Sequence, residues 1–129
     1  MAVTHSDTAL NAATDAVVAL LGSSPNLVFR LSGSVSAPGT AVATLAMAAT
    51  PFGAASAGVA TAGTITDDTN ATGNASPVAN ATIQTSGGTV HIHFGVAASG
   101  SDMDFTGGLT IANGDTVSCT SLTYKTTAG

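Results

Sequence analysis

Two pairs of polar residues stand at a spacing that suits metal chemistry. His91 and His93 lie two apart in Thr-Val-His-Ile-His-Phe-Gly-Val, residues 89–96. Alternate side chains of a strand share one face, so both imidazoles could approach one ion. Asp102 and Asp104 repeat the spacing one segment later and could add carboxylate oxygens. The plainer reading is an amphipathic strand. Val90, Ile92, Phe94 and Val96 form its apolar side, and the histidines form its polar side. No further histidine lies nearby. His91 and His93 therefore remain the only metal candidates, no metal site is assigned, and no cofactor is expected. A His pair set against aspartate across an interface would instead make assembly pH-sensitive.

The other reactive groups form no known arrangement. Asp67-Asp68 and Asp102-x-Asp104 lack the Asp-x-Asp-x-Asp-Gly pattern of a calcium loop, and the chain has no glutamate to close one. They read as solvated loop carboxylates. Ser, His and Asp all occur, but no Gly-x-Ser-x-Gly elbow does. The chain is not expected to be an enzyme. Cys119 is the single cysteine, so an intrachain disulfide is excluded. No cation stands near it in sequence to lower its pKa, and it reads as a small buried hydrophobe. Asn-x-Ser/Thr sequons begin at Asn70, Asn74 and Asn80. They reflect a chain built largely of Asn, Ala, Ser and Thr.

These residues need elements to hold them. Residues 6 to 21 predict one helix. Ser6 is a good N-cap, and Asp7 puts negative charge in the first turn. Leu10, Ala13, Val17 and Leu20/Leu21 make an apolar face, with Asn11, Thr14 and Asp15 off it. Gly22 and Pro25 end the helix. After Pro25 the period becomes two. Strands are predicted at 27–31 and 41–47, near 59–65, at 78–84 and at 89–96. The turns fall at Ser32-Gly33-Ser34, Pro38-Gly39 and Ser86-Gly87-Gly88. Residues 67–76 read as an exposed loop. Leu109 and Ile111 lead into Asn113-Gly114, the preferred pair of a type I′ turn, with a return strand from Asp115 to Tyr124 and a bulge near Thr120-Ser121. Leu27, Phe29, Leu31, Leu45, Ile92, Phe94, Val96, Val117 and Leu122 are the expected core.

The sum is a mainly β chain. It predicts an antiparallel β-sandwich, jelly-roll-like, with one N-terminal helix. The length fits a single domain over 1–129, with a helical segment at 1–25 and the sandwich at 26–129.

Composition narrows the function. Charged residues are 7% of the chain, against about 25% in an ordinary globular domain. The only cations are Arg30 and Lys125, and the net charge is −5. An acidic chain without a basic patch is a poor nucleic-acid binder. No run approaches the ~20 apolar residues of a membrane span, and no signal peptide is expected. A surface so poor in charge is weakly protected against association, which points to packing against copies of itself or a larger assembly.

Several segments carry a family resemblance. Leu27-Val28-Phe29-Arg30-Leu31, Pro38-Gly39 and Ala43-Thr44-Leu45-Ala46-Met47 are followed by Phe52-Gly53-Ala54-Ala55-Ser56-Ala57-Gly58-Val59-Ala60-Thr61. Near the end come residues 95–105, Gly-Val-Ala-Ala-Ser-Gly-Ser-Asp-Met-Asp-Phe, and Gly114-Asp115-Thr116-Val117-Ser118-Cys119-Thr120-Ser121-Leu122-Thr123. The chain resembles small virion structural proteins of tailed bacteriophages. That resemblance implies a capsid cement or decoration protein on the outside of a shell, assembled in the host cytoplasm. Its partners would be the major capsid protein and further copies of itself. It implies no catalytic residue. The alternative within the same resemblance is a tail or fibre component, such as a host-surface binding module.

Overall fold

The computed structural model describes residues 3–126. Its one helix, α1, spans Asp7–Leu20. The Ser6 side chain accepts from the Ala9 N–H at 3.2 Å, filling one of the orphan donors of the first turn. Leu21 caps the other end, and Gly22 follows at φ +68°, a conformation that a β-carbon disfavours. The buried face differs from the expected one. Ala13 is exposed, and Leu20 is one of the most exposed large apolar side chains. The inward seam runs through Leu10, Asn11, Thr14, Val17, Val18 and Leu21, with Thr14 fully buried. The spacing is helical in both cases. The seam is rotated because Asn11, Thr14 and Asp15 have hydrogen-bond partners in the chain.

Seven strands follow: β1 Asn26–Arg30, β2 Ala41–Ala46, β3 Val59–Thr61, β4 Asn80–Gln84, β5 Val90–Ala97, β6 Met103–Asp104 and β7 Thr123–Lys125. Five form one sheet in the order β2-β1-β4-β5-β6, and β3 pairs with β7 in a separate ribbon. The expectation of a purely antiparallel arrangement is corrected at one place. β6 runs parallel to β5, Val96 opposite Met103 and Ala97 opposite Asp104. All other ladders are antiparallel. Residues 98–102 carry the chain back along the end of β5, so that β6 lies beside it as a two-residue parallel strap.

One face of the large sheet is apolar. Leu27 stands opposite both Leu45 and Ile83, and Ile83 opposite Ile92. Phe29 stands opposite Ala43 and Ala81, leaving room for Phe105, whose ring meets it edge to face at 5.2 Å. Leu27, Phe29, Leu45, Ile92, Val96 and Val117 are buried as expected, and Ile83 joins them. Leu31, Phe94 and Leu122 are only half-buried. A bulge at Phe29/Arg30 sets two consecutive β2 residues, Val42 and Ala43, into the interior.

The C-terminal half departs from the predicted hairpin. Asn113-Gly114 does turn, with Asp115 N–H donating to Ala112 O at 3.1 Å. Only Gly114 has positive φ, so the turn has the signature of type II, not type I′. The flanking residues pair with the 67–78 segment instead of with each other. Ala71 N–H reaches Asp115 O, Gly114 N–H reaches Ala71 O, Asn74 N–H reaches Ile111 O, and Val78 N–H reaches Leu109 O. The expected loop at 67–76 is therefore irregular but stapled, and Ala71 is buried at its centre. The bulge expected near Thr120-Ser121 is absent because those residues lie outside any strand. The type I′ geometry sits elsewhere. Ser56 and Val59 exchange backbone hydrogen bonds at 2.9 and 3.0 Å around Ala57 and Gly58, whose φ values are +50° and +79°. Among the described residues no helix is long and apolar enough to cross a membrane.

Candidate interaction site at the outer edge of the large sheet

The second face of the large sheet is polar yet covered. Arg30 is 9% exposed. Its Nε donates to Thr82 Oγ1 at 3.0 Å, Nη2 to Gln84 Oε1 at 2.6 Å and Nη1 to Gly39 O at 2.7 Å. The guanidinium thus lies across β1 and β4 and reaches the hairpin beyond β1. No partner among these is a carboxylate. Burial lowers the Arg30 pKa from its ordinary value. Three neutral acceptors hold a cation that would otherwise be expensive to bury. Sequence reasoning noted Arg30 as one of the chain's two cations. Its isolation from acidic neighbours gave no signal for this role.

His91 and His93 are half-buried on β5. His93 stands opposite Thr82, and Asn80 opposite Gly95. His93 Nε2 and Asn80 Oδ1 are both buried without a hydrogen-bond partner. The two atoms lie at diagonal positions on the polar face of β4 and β5. Asp102 and Asp104 do not face the histidines as ligands. Asp102 Oδ2 accepts from Gly95 N–H at 2.9 Å, and Asp104 Oδ1 accepts from Ser101 N–H at 3.2 Å, so both shape the strap. Among the described residues no group of three or more His, Cys, Asp or Glu side chains is placed to hold a metal ion.

The ladder geometry decides which backbone groups face outward. Val96 N–H donates to Ala79 O, toward β4, while Gly95 N–H points the other way, to Asp102. By strand alternation the N–H and C=O of His93 also point away from β4. β6 covers β5 only at Val96 and Ala97. Between Val90 and Phe94 the outer edge has no partner strand among the described residues. Beside it opens a cavity of about 390 Å³, lined by Ile92, His93 and Phe94 from β5 and by Tyr124 and Lys125 from β7, with Asp102 also on its wall. Burial in its surroundings raises the Tyr124 pKa.

The remaining sequence candidates are structural. Asp68 uses both oxygens locally, accepting from Thr44 N–H at 2.9 Å and Asn70 N–H at 3.0 Å, so it ties the loop to β2. Cys119 is half-buried beside a second cavity of about 370 Å³ that Phe29 and Phe105 also line. Burial pushes its thiol up, and the thiol donates to Ser121 O at 3.4 Å. Asn80 is buried in β4, while Asn70 and Asn74 are exposed.

No protein-family model, curated protein or solved structure matches this chain.

Proposed function

We propose that this chain is a non-enzymatic structural module of a virion, a cement or decoration protein that binds major capsid subunits and stabilises the shell. One observation carries the reading: nine charged residues in 129, with the exposed positions filled by Ala, Ser, Thr and Gly. A flat surface of small residues lets a partner backbone approach closely, and it holds little like charge to repel one. The resemblance of the 52–61 and 114–123 segments to tailed-phage virion proteins supplies the context. In this reading the finer architecture is a jelly-roll-like sandwich, with the β3–β7 ribbon as part of a second layer. Its support is that Phe52, Ala60 and Val117 share one buried cluster with Leu27, Phe29 and Ile83.

The experiment is a protein inventory of purified particles of the virus that encodes the chain. A cement protein is present at high, stoichiometric copy number and stays on heads that lack tails. Absence from intact particles would overturn the proposal, and loss together with the tails would replace it with the tail or fibre reading.

A further inference from the structure

We propose that the outer edge of β5 is a self-pairing interface, at which two copies of this chain join antiparallel about a two-fold axis. The large sheet then runs continuously from one copy into the next.

The edge is the longest one left open among the described residues. On the far side of the sheet, β2 is closed by the chain itself. Thr44 N–H goes to Asp68, and the carbonyls of Val42 and Ala46 accept from Gly73 and Thr66. β6 and β7 are two and three residues long.

Of the devices that keep strand edges apart, the β5 edge carries only a bulge at His91, where the register against β4 slips between Ile83 and Gln84. Natural sheets blunt an exposed edge with lysine, proline, an inward charge or a covering loop. Val90-His91-Ile92-His93-Phe94 contains no lysine, proline or carboxylate. The strap that could cover it stops at Val96. Two orphaned buried atoms, His93 Nε2 and Asn80 Oδ1, sit behind this edge.

The occupant that fits is a second copy. An antiparallel edge is self-complementary, because each strand offers the N–H and C=O that the other needs, as an isologous contact requires. The cavity beside it carries one residue of each sign, Asp102 and Lys125. A two-fold axis can therefore set a cation against a carboxylate on both sides. A few residues of edge bury less than the roughly 1,200 Å² of a stable interface. The half-buried His93, Phe94 and Tyr124 must supply the rest of the contact.

The test uses the full chain in solution, free of any shell, so its outcome is separate from that of the shell proposal. Sedimentation across a range of concentrations should show a reversible two-chain species. Hydrogen exchange should show the His93 amide protected when that species dominates and exposed on dilution. The Gly95 amide, bonded to Asp102, should stay protected at both. His93→Pro removes an outward N–H without touching the ladder to β4, so it should weaken pairing roughly tenfold or more while circular dichroism is unchanged. If the proline variant fails to fold, His91→Lys places an edge charge on each copy and should separate them. A chain that is monomeric at all concentrations, or a dimer whose His93 amide exchanges freely, would overturn the proposal.

Discussion

The hydroxyl of Thr14, on the N-terminal helix, donates to the carbonyl of Gly58 at 2.6 Å, across 44 residues of sequence. The N–H of the same glycine donates to Asn11 Oδ1 at 2.7 Å, and Ala55 N–H donates to Asp15 Oδ1 at 2.8 Å. The polar residues of the helix thus fasten it to the turn before β3. Gly58 can serve because it tolerates φ +79° and because a β-carbon there would come within 3.0 Å of Leu10.

Thr14→Val keeps the shape of the side chain and deletes its hydroxyl. It should destabilise the protein by about 1–3 kcal/mol, since a buried carbonyl loses its donor. Urea unfolding checks this, with the midpoint falling and the slope unchanged. Thr14→Ser should recover most of the loss.

Ala57 holds a left-handed conformation that costs an alanine roughly 1–2 kcal/mol. It is exposed and touches no part of the core. Ala57→Asn, the residue that type I′ turns prefer first, should raise stability by about 1 kcal/mol. A thermal midpoint that stays put or falls would show that the turn is not strained.

Phe29 is buried to 1% exposure and packs edge to face with Phe105. Phe29→Ala should cost about 3–5 kcal/mol. Phe94, half-buried on β5, should cost clearly less when replaced by alanine. Equal losses at the two sites would mean that Phe94 is packed more fully than its exposure shows.

Arg30→Lys keeps a buried cation but cannot reach Thr82, Gln84 and Gly39 together. It should destabilise by about 1–3 kcal/mol. Arg30→Met removes the charge with the donors, so it should cost less than the lysine change, because no cation remains to be desolvated. Denaturant midpoints of the two variants, compared side by side, decide the order.

Burial raises the folded pKa of both Cys119 and Tyr124. The unfolded chain then loses these protons first as pH rises. The unfolded state binds fewer protons, so stability must fall with pH in that range. Stability should be intact below the ordinary thiol value of 9.0 and decline above it, with Tyr124 adding its part beyond 10.0. Cys119→Ser should flatten the first part of the decline in a pH series of melting curves.

What could be read from sequence was local. Ser6 and Asp7 announced the helix start. The alternations at 27–31, 41–47 and 89–96 gave three strands of the large sheet, β1, β2 and β5, and Ser86-Gly87-Gly88 gave the turn between β4 and β5. What could not be read was pairing at a distance. Asn113-Gly114 has the chemistry of a hairpin turn, but Ala71 supplies nearer partners to Gly114 and Asp115 than they find in each other's strands. The parallel β6 depends on one carboxylate, Asp102, catching the Gly95 amide. Thr14 stands four residues after Leu10 and three before Val17, on the buried side of the helix; only its hydroxyl argued against burial, and the Gly58 carbonyl satisfies it. The candidate edge was half legible, since His91-x-His93 flagged the strand. That most of this strand has an uncovered side follows only from the pairing, since β6 reaches it only at Val96 and Ala97.

Thr14 also lies 3.1 Å from the hydroxyl of Thr126, 112 residues later. The middle of the helix and the residue after β7 therefore meet at one place, where β7 closes the ribbon with β3. Such closure is entropically late in folding, after the two local hairpins have formed. During synthesis, the helix docking site is completed only when the last strand has left the ribosome.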